Sequence, residues 1–230
     1  MKKLVACLLI LGSAGPAFAH QSVELDLKTT DLKLYWKKAD GTAFETLTGV
    51  RDFLKAQGKT VIMATNSGIY GHDNVPIGLH VERGETLQKL NKSHASTGNF
   101  FMNPNGVFFL SGKTAQIVTT EEYAALKNPA PTEASQSGPL LVRRGQINPK
   151  FHGGSGNKNI RSGVGVNAQG HVIFAISDDP VEFYDFAVYF RDTLHCPDAL
   201  YLDGTISALL TPAHSDGQVI PFVGIWAATK

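Results

Sequence analysis

The sequence predicts an α+β protein: one mixed-sheet domain, rich in hairpins, with a single β-α-β crossover near the C-terminus. Three observations carry that prediction. Short apolar runs alternate with Gly- and Asn-bearing turns along most of the chain. Two helical stripes interrupt them, Leu47-Val50-Phe53-Leu54 and Phe183-Phe186-Ala187-Phe190-Leu194. The second stripe lies between the strand-like runs 172–176 and 199–202, the order of a crossover.

The N-terminus reads as a leader. Lys2 and Lys3 precede an apolar run over 4–11, and Ala17-Phe18-Ala19 places small residues where a signal peptidase reads. Cleavage is expected after Ala19, with the domain spanning 20–230. The run is too short to span a bilayer, and no second segment is apolar enough. Cys7 lies inside the run and leaves with it, so the mature chain keeps Cys196 alone and forms no internal disulfide. The 230 residues suffice for one full core, and 43% hydrophobic with 18% charged residues excludes a disordered chain. Net charge is near neutral with no basic run, which argues against nucleic acid as a partner. The sequence sets no oligomeric state.

Along the domain, Gly58 stops the first helix and 61–64 form a strand running into Asn66. Segments 100–102 and 107–110 flank Asn103-Pro104-Asn105-Gly106, a hairpin signal. The Pro- and Ala-rich stretch 127–135 reads as a surface loop. Two more hairpins are expected, 140–142 with 146–147 and 164–166 with 172–176. Asp179 is the expected N-cap of the second helix, with Pro180 in its first turn and Glu182 completing a capping box. The following strand carries Asp203 to its carboxyl end, where sites in such sheets gather.

Asp203 is the most informative residue. Four strand residues run into it, and it opens a glycine turn; a carboxylate at the mouth of a core is costly unless used or paired. Asn66 in Asn66-Ser67-Gly68, Gln136 in Gln136-Ser137-Gly138 and Arg161 in Arg161-Ser162-Gly163 stand in similar settings. The pattern suggests turns delivering side chains into one cleft. Rival readings stand beside it: a structural Arg161–Asp203 ion pair, and Asn66 and Gln136 bonding their own turns. Asp178 and Asp73 are candidates for a second carboxylate. The eight histidines form no His-x-His or His-Glu-x-x-His pair, so no metal site is expected. There is no Gly-x-Ser-x-Gly elbow, and Gly163-Val164-Gly165 lacks the third glycine of a dinucleotide loop. Gly153-Gly154-Ser155-Gly156 reads as a flexible loop or lid, and Cys196 as a buried inert thiol.

Six segments appear in a recognisable order: Asn66-Ser67-Gly68-Ile69-Tyr70, Pro76-Ile77-Gly78-Leu79, Gly98-Asn99-Phe100-Phe101, Gln136-Ser137-Gly138-Pro139, Arg161-Ser162-Gly163-Val164-Gly165, and Leu202-Asp203-Gly204 with Ser207. From about residue 33 to 226 the chain resembles the phosphodiester glycosidase family, in a small bacterial exported branch. The resemblance implies a periplasmic or secreted hydrolase that cleaves a sugar-1-phosphodiester in an envelope glycan or glycolipid. It implies Arg161 as a bidentate phosphate clamp and Asp203 as the catalytic carboxylate. Asn66, Gln136, Gly68, Gly138, Gly204 and Ser207 would bind the phosphorylated sugar, with no cofactor and no stable membrane insertion. Two departures are visible. Ser67-Gly68 replaces a glycine pair, and Asp203-Gly204-Thr205-Ile206-Ser207 is bulkier than the family's glycine-rich turn. With no evident second carboxylate, the bulk also allows a non-catalytic envelope protein that binds a phosphorylated glycan.

Overall fold

Three antiparallel sheets share one apolar core in the computed structural model, which describes residues 20–94, 97–204, 206–214 and 221–230. The expected leader, 1–19, lies outside the described residues, as does Thr205. In chain order the elements are β1 (His20–Leu25), β2 (Asp31–Tyr35), α1 (Leu47–Ala56), β3 (Val61–Asn66), β4 (His80–Glu82), β5 (Glu85–Gln88), a 3-10 turn (Asn99–Phe101), β6 (Gly106–Ser111), β7 (Thr114–Thr119) and α2 (Thr120–Ala125). There follow β8 (Glu133–Ser137), β9 (Leu140–Arg143), β10 (Gln146–Ile147), β11 (Ser162–Val166), β12 (Val172–Ser177), α3 (Phe183–Val188) running on as a π-helix (Tyr189–Thr193), β13 (Asp198–Asp203), β14 (Leu209–Leu210) and β15 (Ile225–Thr229).

The sheets are ordered β1-β12-β11-β13-β9-β10, β14-β3-β15-β2 and β5-β4-β8-β6-β7. Strands β12 and β13 both pair antiparallel with β11, so they run parallel to each other, one strand apart. The chain passes between them through α3, which is the expected crossover. Leu34 and Trp226, Phe108 and Leu110, and Phe174 and Leu200 bring one pair each from the three sheets into a common cluster. The buried Trp226 indole N–H donates to Ser135 Oγ at 3.1 Å, so burial of the ring leaves no orphan donor.

The helices cover outer faces. Thr46 caps α1 by accepting from the Gly49 amide at 2.9 Å, and its Leu47, Val50 and Leu54 pack on β3 and β15. Phe183, Phe186 and Phe190 lay the α3 segment on β9, β11 and β13. Each such ring contributes about 1.5–3 kcal/mol by burial. The approach is close: a Cβ on Gly165 would stand 2.6 Å from Cys196 Sγ and 2.8 Å from Phe190 Cδ1. Gly163-Val164-Gly165 is therefore a helix-to-sheet packing device. Cys196 is fully buried and its thiol is pushed up to about 12, as expected of an inert cysteine.

Helix α1, strand β3 and the hairpins β9–β10 and β11–β12 fall where the sequence placed them. Three expectations are corrected. Asn103-Pro104-Asn105-Gly106 is no hairpin: β6 turns back through Ser111-Gly112-Lys113 to pair with β7. Asn105 is drawn elsewhere, its amide donating to the Phe100 carbonyl at 2.9 Å and its Oδ1 accepting from Thr120 Oγ1 at 2.8 Å. The stretch 127–135 is a loop only in part, because β8 begins at Glu133 and is buried throughout. Helix α3 starts at Phe183 without a side-chain cap. Asp179 stays exposed, and the Glu182 carboxylate instead accepts the amides of Gly154, Ser155 and Gly156 at 2.8, 3.1 and 2.7 Å. Three amides outcompete the one a cap would offer.

Candidate functional site

The carboxyl ends of β3 and β13 meet the start of β11 at one end of the molecule. Register fixes the meeting: Ser162 stands opposite Asp203, and Asn66 opposite Ile225. The Asn66 amide donates to Ser162 Oγ at 2.9 Å, and Ser162 Oγ lies 2.9 Å from Ser207 Oγ and 3.3 Å from both the amide and the carbonyl of Asp203. Asn66 Oδ1 also accepts from the Ala208 amide at 3.4 Å. One chain of hydrogen bonds thus joins Asn66, Ser162, Ser207 and the Asp203 backbone.

Among the described residues one neighbour holds the Asp203 side chain, the Gly204 amide, at 2.6 Å. Burial pushes its carboxyl up to about 7, with only that amide pulling the other way. Two residues back, on the same face of β13, Tyr201 is fully buried. Its hydroxyl accepts from Asn99 Nδ2 at 3.5 Å. Burial raises its pKa, as does the Asp203 charge, while Arg161 and Asn99 oppose them. The glycine after Asp203 is forced: a Cβ on Gly204 would lie 2.5 Å from the Tyr201 hydroxyl. Tyr70 is also close enough for Asp203 to raise its pKa, after burial, and its hydroxyl donates to the Pro221 carbonyl at 2.7 Å.

Arg161 has no exposed surface. Its Nε donates to the Val181 carbonyl at 2.9 Å and one terminal nitrogen to the Asn157 carbonyl at 2.8 Å. Its guanidinium carbon stands 3.6 Å from the Phe183 ring centroid and 5.6 Å from that of Tyr201. The other terminal nitrogen, Nη1, has no partner among the described residues. The rival Arg161–Asp203 ion pair is not formed. Nε and one terminal nitrogen, the edge a bidentate clamp could use, are committed to carbonyls, which leaves Nη1 without a partner in hydrogen-bond geometry among the described residues. A buried cation is expensive: desolvation lowers the Arg161 pKa, and Tyr201 and the Glu182 charge oppose that fall. Here two carbonyls and an aromatic face offset part of that cost.

Gln136 is a tertiary strut. Its Oε1 accepts from the amides of Leu79 and Asn91 at 3.0 and 2.9 Å, and its Nε2 donates to the Asn91 carbonyl and Thr120 Oγ1 at 2.7 and 2.9 Å. All four of its bonding positions are used, so none remains for the ligand expected of it. Gly138 serves close packing, since a Cβ there would meet Asn105 Cβ at 2.6 Å. Gly68 adopts φ +152°, which favours glycine, beside Ser137. Of the proposed second carboxylates, Asp73 is exposed and accepts from the Val75 amide at 3.3 Å, and Asp178 is exposed and accepts from Gln21 at 2.7 Å.

Sequence reasoning brought Asp203, Arg161, Asn66, Gly204 and Ser207 to one region but passed over Tyr201, Asn99 and Ser162. The last two lie within the quoted motifs. Tyr201 carried a subtler signal, strand alternation that sets it on the face of Asp203.

The phosphodiester glycosidase family profile matches residues 59–221. The uncharacterized protein YigE of Escherichia coli (strain K12) is 38% identical over 209 residues, covering 91% of this chain and 79% of YigE. Among solved structures, the zebrafish N-acetylglucosamine-1-phosphodiester alpha-N-acetylglucosaminidase catalytic domain, auto-inhibited by its pro-peptide, superposes with a TM-score of 0.58 at 11% identity, covering 94% of this chain and 84% of that one. A protein from Burkholderia pseudomallei K96243 does so with a TM-score of 0.60 at 11% identity, covering 91% and 73%. At these identities the two structures speak for the fold, and the profile speaks for descent. This chain belongs to the phosphodiester glycosidase family.

Proposed function

We propose that the protein is an exported hydrolase that cleaves a sugar-1-phosphodiester of an envelope glycan or glycolipid. One observation carries the reading. Burial pushes the Asp203 carboxyl up to about 7 with no cation attached among the described residues, in a neighbourhood that also holds the buried Arg161 guanidinium beside Tyr201. Perturbed groups of that kind mark sites where protons move.

In the proposed reaction the bond between the anomeric carbon and the phosphate oxygen breaks, and the phosphate monoester leaves with the electron pair. Phosphate is a good leaving group, so its departure needs charge stabilisation more than a strong acid. Arg161 supplies positive potential toward the Asp203 turn, and Tyr201 and Asn99 relay it as donors. Ionised Asp203 faces the cationic sugar carbon and takes the proton of the attacking water. Asn66 and Ser207, with the backbone at Gly68 and Gly204, hold the substrate. Gln136 and Gly138 keep the wall behind them rigid. Residues 154–157 close over Arg161, because Asn157 holds its guanidinium and Glu182 holds the three amides before it.

The test is hydrolysis of a panel of sugar-1-phosphodiesters by the mature protein beside Asp203→Asn. Turnover by the wild type that the variant loses supports the reading; equal turnover by both removes Asp203 from the chemistry. A second reading, a non-catalytic binder of a phosphorylated glycan, is favoured by the two candidate second carboxylates, Asp73 and Asp178, being exposed and bonded to Val75 and Gln21. It predicts glycan binding without turnover. Fractionation of expressing cells tests export: protein confined to the cytoplasm overturns it.

A further inference from the structure

Under the Asn66-Ser67-Gly68 turn the structure holds a cavity of about 10 Å³, between β4, β8 and the residues that lead into β15. That is room for one water molecule and for no organic ligand. Ser67, His80 and Ser135 line it, with Gly68 and Gly224. Register places two of them: His80 and Ser135 stand opposite each other on β4 and β8, so their side chains share a face. Ser67 is brought in by its amide, which donates to the Gly224 carbonyl at 2.9 Å. The glycine at 224 keeps the space open. A Cβ there would run into Ser67 Oγ and stand 3.1 Å from His80 Cε1.

The three polar residues each have bonding capacity to spare. His80 is 1% exposed, and its Nε2 lies 2.9 Å from Glu82 Oε1, while Glu82 Oε2 accepts from Arg83 at 2.7 Å. Glu82 is thus spent on both oxygens, but His80 is spent on one nitrogen. Nδ1 is the nitrogen that remains, beside the Cε1 that faces Gly224. Trp36 packs edge-on against the imidazole, with ring centroids 5.6 Å apart, which holds the ring in that orientation. Ser135 Oγ accepts from the Trp226 indole at 3.1 Å, and its own proton has no acceptor among the described residues. The buried Ser67 hydroxyl has no partner among the described residues either. Buried polar groups are satisfied by protein or by ordered water, and a buried water needs two to four such partners.

We infer that one water is bound in this cavity by Ser67, Ser135 and His80, and that His80, anchored by Glu82 and Arg83, acts through it as a positioning residue for the Asn66–Gly68 turn. Ser67 sits between Gly68 and Asn66, whose amide holds Ser162 Oγ at 2.9 Å. A fixed Ser67 hydroxyl therefore fixes both neighbours. For its effect on turnover the inference rests on the sugar-phosphodiester reading; for the water it does not.

The experiment combines a high-resolution crystal structure of the mature protein with long-range proton–nitrogen NMR correlations of the His80 ring. The inference predicts one ordered water within hydrogen-bond distance of Ser67 Oγ, Ser135 Oγ and His80 Nδ1. It predicts a protonated Nε2, and an Nδ1 resonance that moves in Ser67→Ala while Nε2 stays. A histidine with a packing role alone would leave Nδ1 unmoved. On a sugar-1-phosphodiester, Ser67→Ala should raise KM about three- to tenfold with kcat little changed, the size of one neutral hydrogen bond. His80→Gln, which can donate to Glu82 and accept from the water, should stay closer to the wild type than His80→Leu. Ser67→Ala carries the test by itself if His80→Leu does not fold, because it leaves the His80–Glu82–Arg83 contacts intact. No water at the site, or an unmoved Nδ1, would overturn the inference. Unaltered KM in an active Ser67→Ala variant would overturn the positioning role. The water and the Nδ1 shift in a protein that hydrolyses no phosphodiester would overturn the glycosidase reading and leave the water site standing.

Discussion

Two carboxyl groups in this protein, Asp203 and Glu133, are each pushed to about 7 by burial, and they do different work. Glu133 lies at the start of β8, 2% exposed, with Oε2 accepting the Leu34 amide at 3.1 Å and Oε1 the Arg83 amide at 3.2 Å. It sews β2 of the four-stranded sheet to the edge of the five-stranded one. Beside it Glu82 holds His80 Nε2 at 2.9 Å and Arg83 at 2.7 Å, so the neighbourhood is saturated. Among the described residues, the Asp203 side chain is bonded only to the amide of the next residue. A displaced titration therefore does not mark a site by itself. The unspent hydrogen-bonding capacity around the group does.

The comparison is broken most forcefully by Asp203→Asn. The account expects a loss of turnover of about 10³-fold, within the range for removing an acid–base group. It also expects a gain in stability. The folded pKa of about 7 exceeds the ordinary value of 3.8, so folding takes up a proton between those limits. The wild type is then most stable below about pH 4 from this group and loses that contribution as pH rises to 7. The variant has no such loss, so at pH 8 it should exceed the wild type by up to about 4 kcal/mol. Chemical denaturation at pH 5 and pH 8 reads the difference. A variant that keeps its activity and loses stability would put Asp203 in the class of Glu133.

Arg161→Lys comes next. Lysine keeps the charge but cannot serve two carbonyls from a planar fork or stack on Phe183. Turnover should fall about 10²-fold, read from kcat with the fold confirmed by circular dichroism. Unchanged kcat would make Arg161 a purely structural cation.

Glu133→Ala strands two buried amides and should cost about 2–3 kcal/mol in urea unfolding. Its kcat should stay within twofold of the wild type. A large kcat effect there would erase the distinction drawn above. Gln136→Met, the mildest change, keeps volume but removes four hydrogen bonds. It should cost about 1–3 kcal/mol with KM unaltered, and a KM shift would return Gln136 to the binding residues.

Much of the site's address was legible in the sequence, because it follows from local rules. A polar residue that ends an apolar strand and precedes a glycine is announced by its neighbours, and Asp203 and Asn66 were found that way. What those side chains touch was not legible. Arg161 rests on Phe183, Val181 and Asn157, and Gln136 is spent on Leu79, Asn91 and Thr120, contacts that only the folded chain brings together. The Asn103–Gly106 turn and the Asp179 cap failed for the same cause. Each carried a sound local signal, and tertiary partners of Asn105 and Glu182 overrode it.

The most direct test is the pH dependence of kcat/KM for a hexose-1-phosphodiester between pH 5 and 9, in the wild type and in Glu133→Gln. The account predicts a rise through an inflection near 7 that the Glu133 variant keeps unchanged, since Asp203 is the group that must ionise. An inflection that vanishes with Glu133→Gln, or a rate that falls as pH rises through 7, would contradict it.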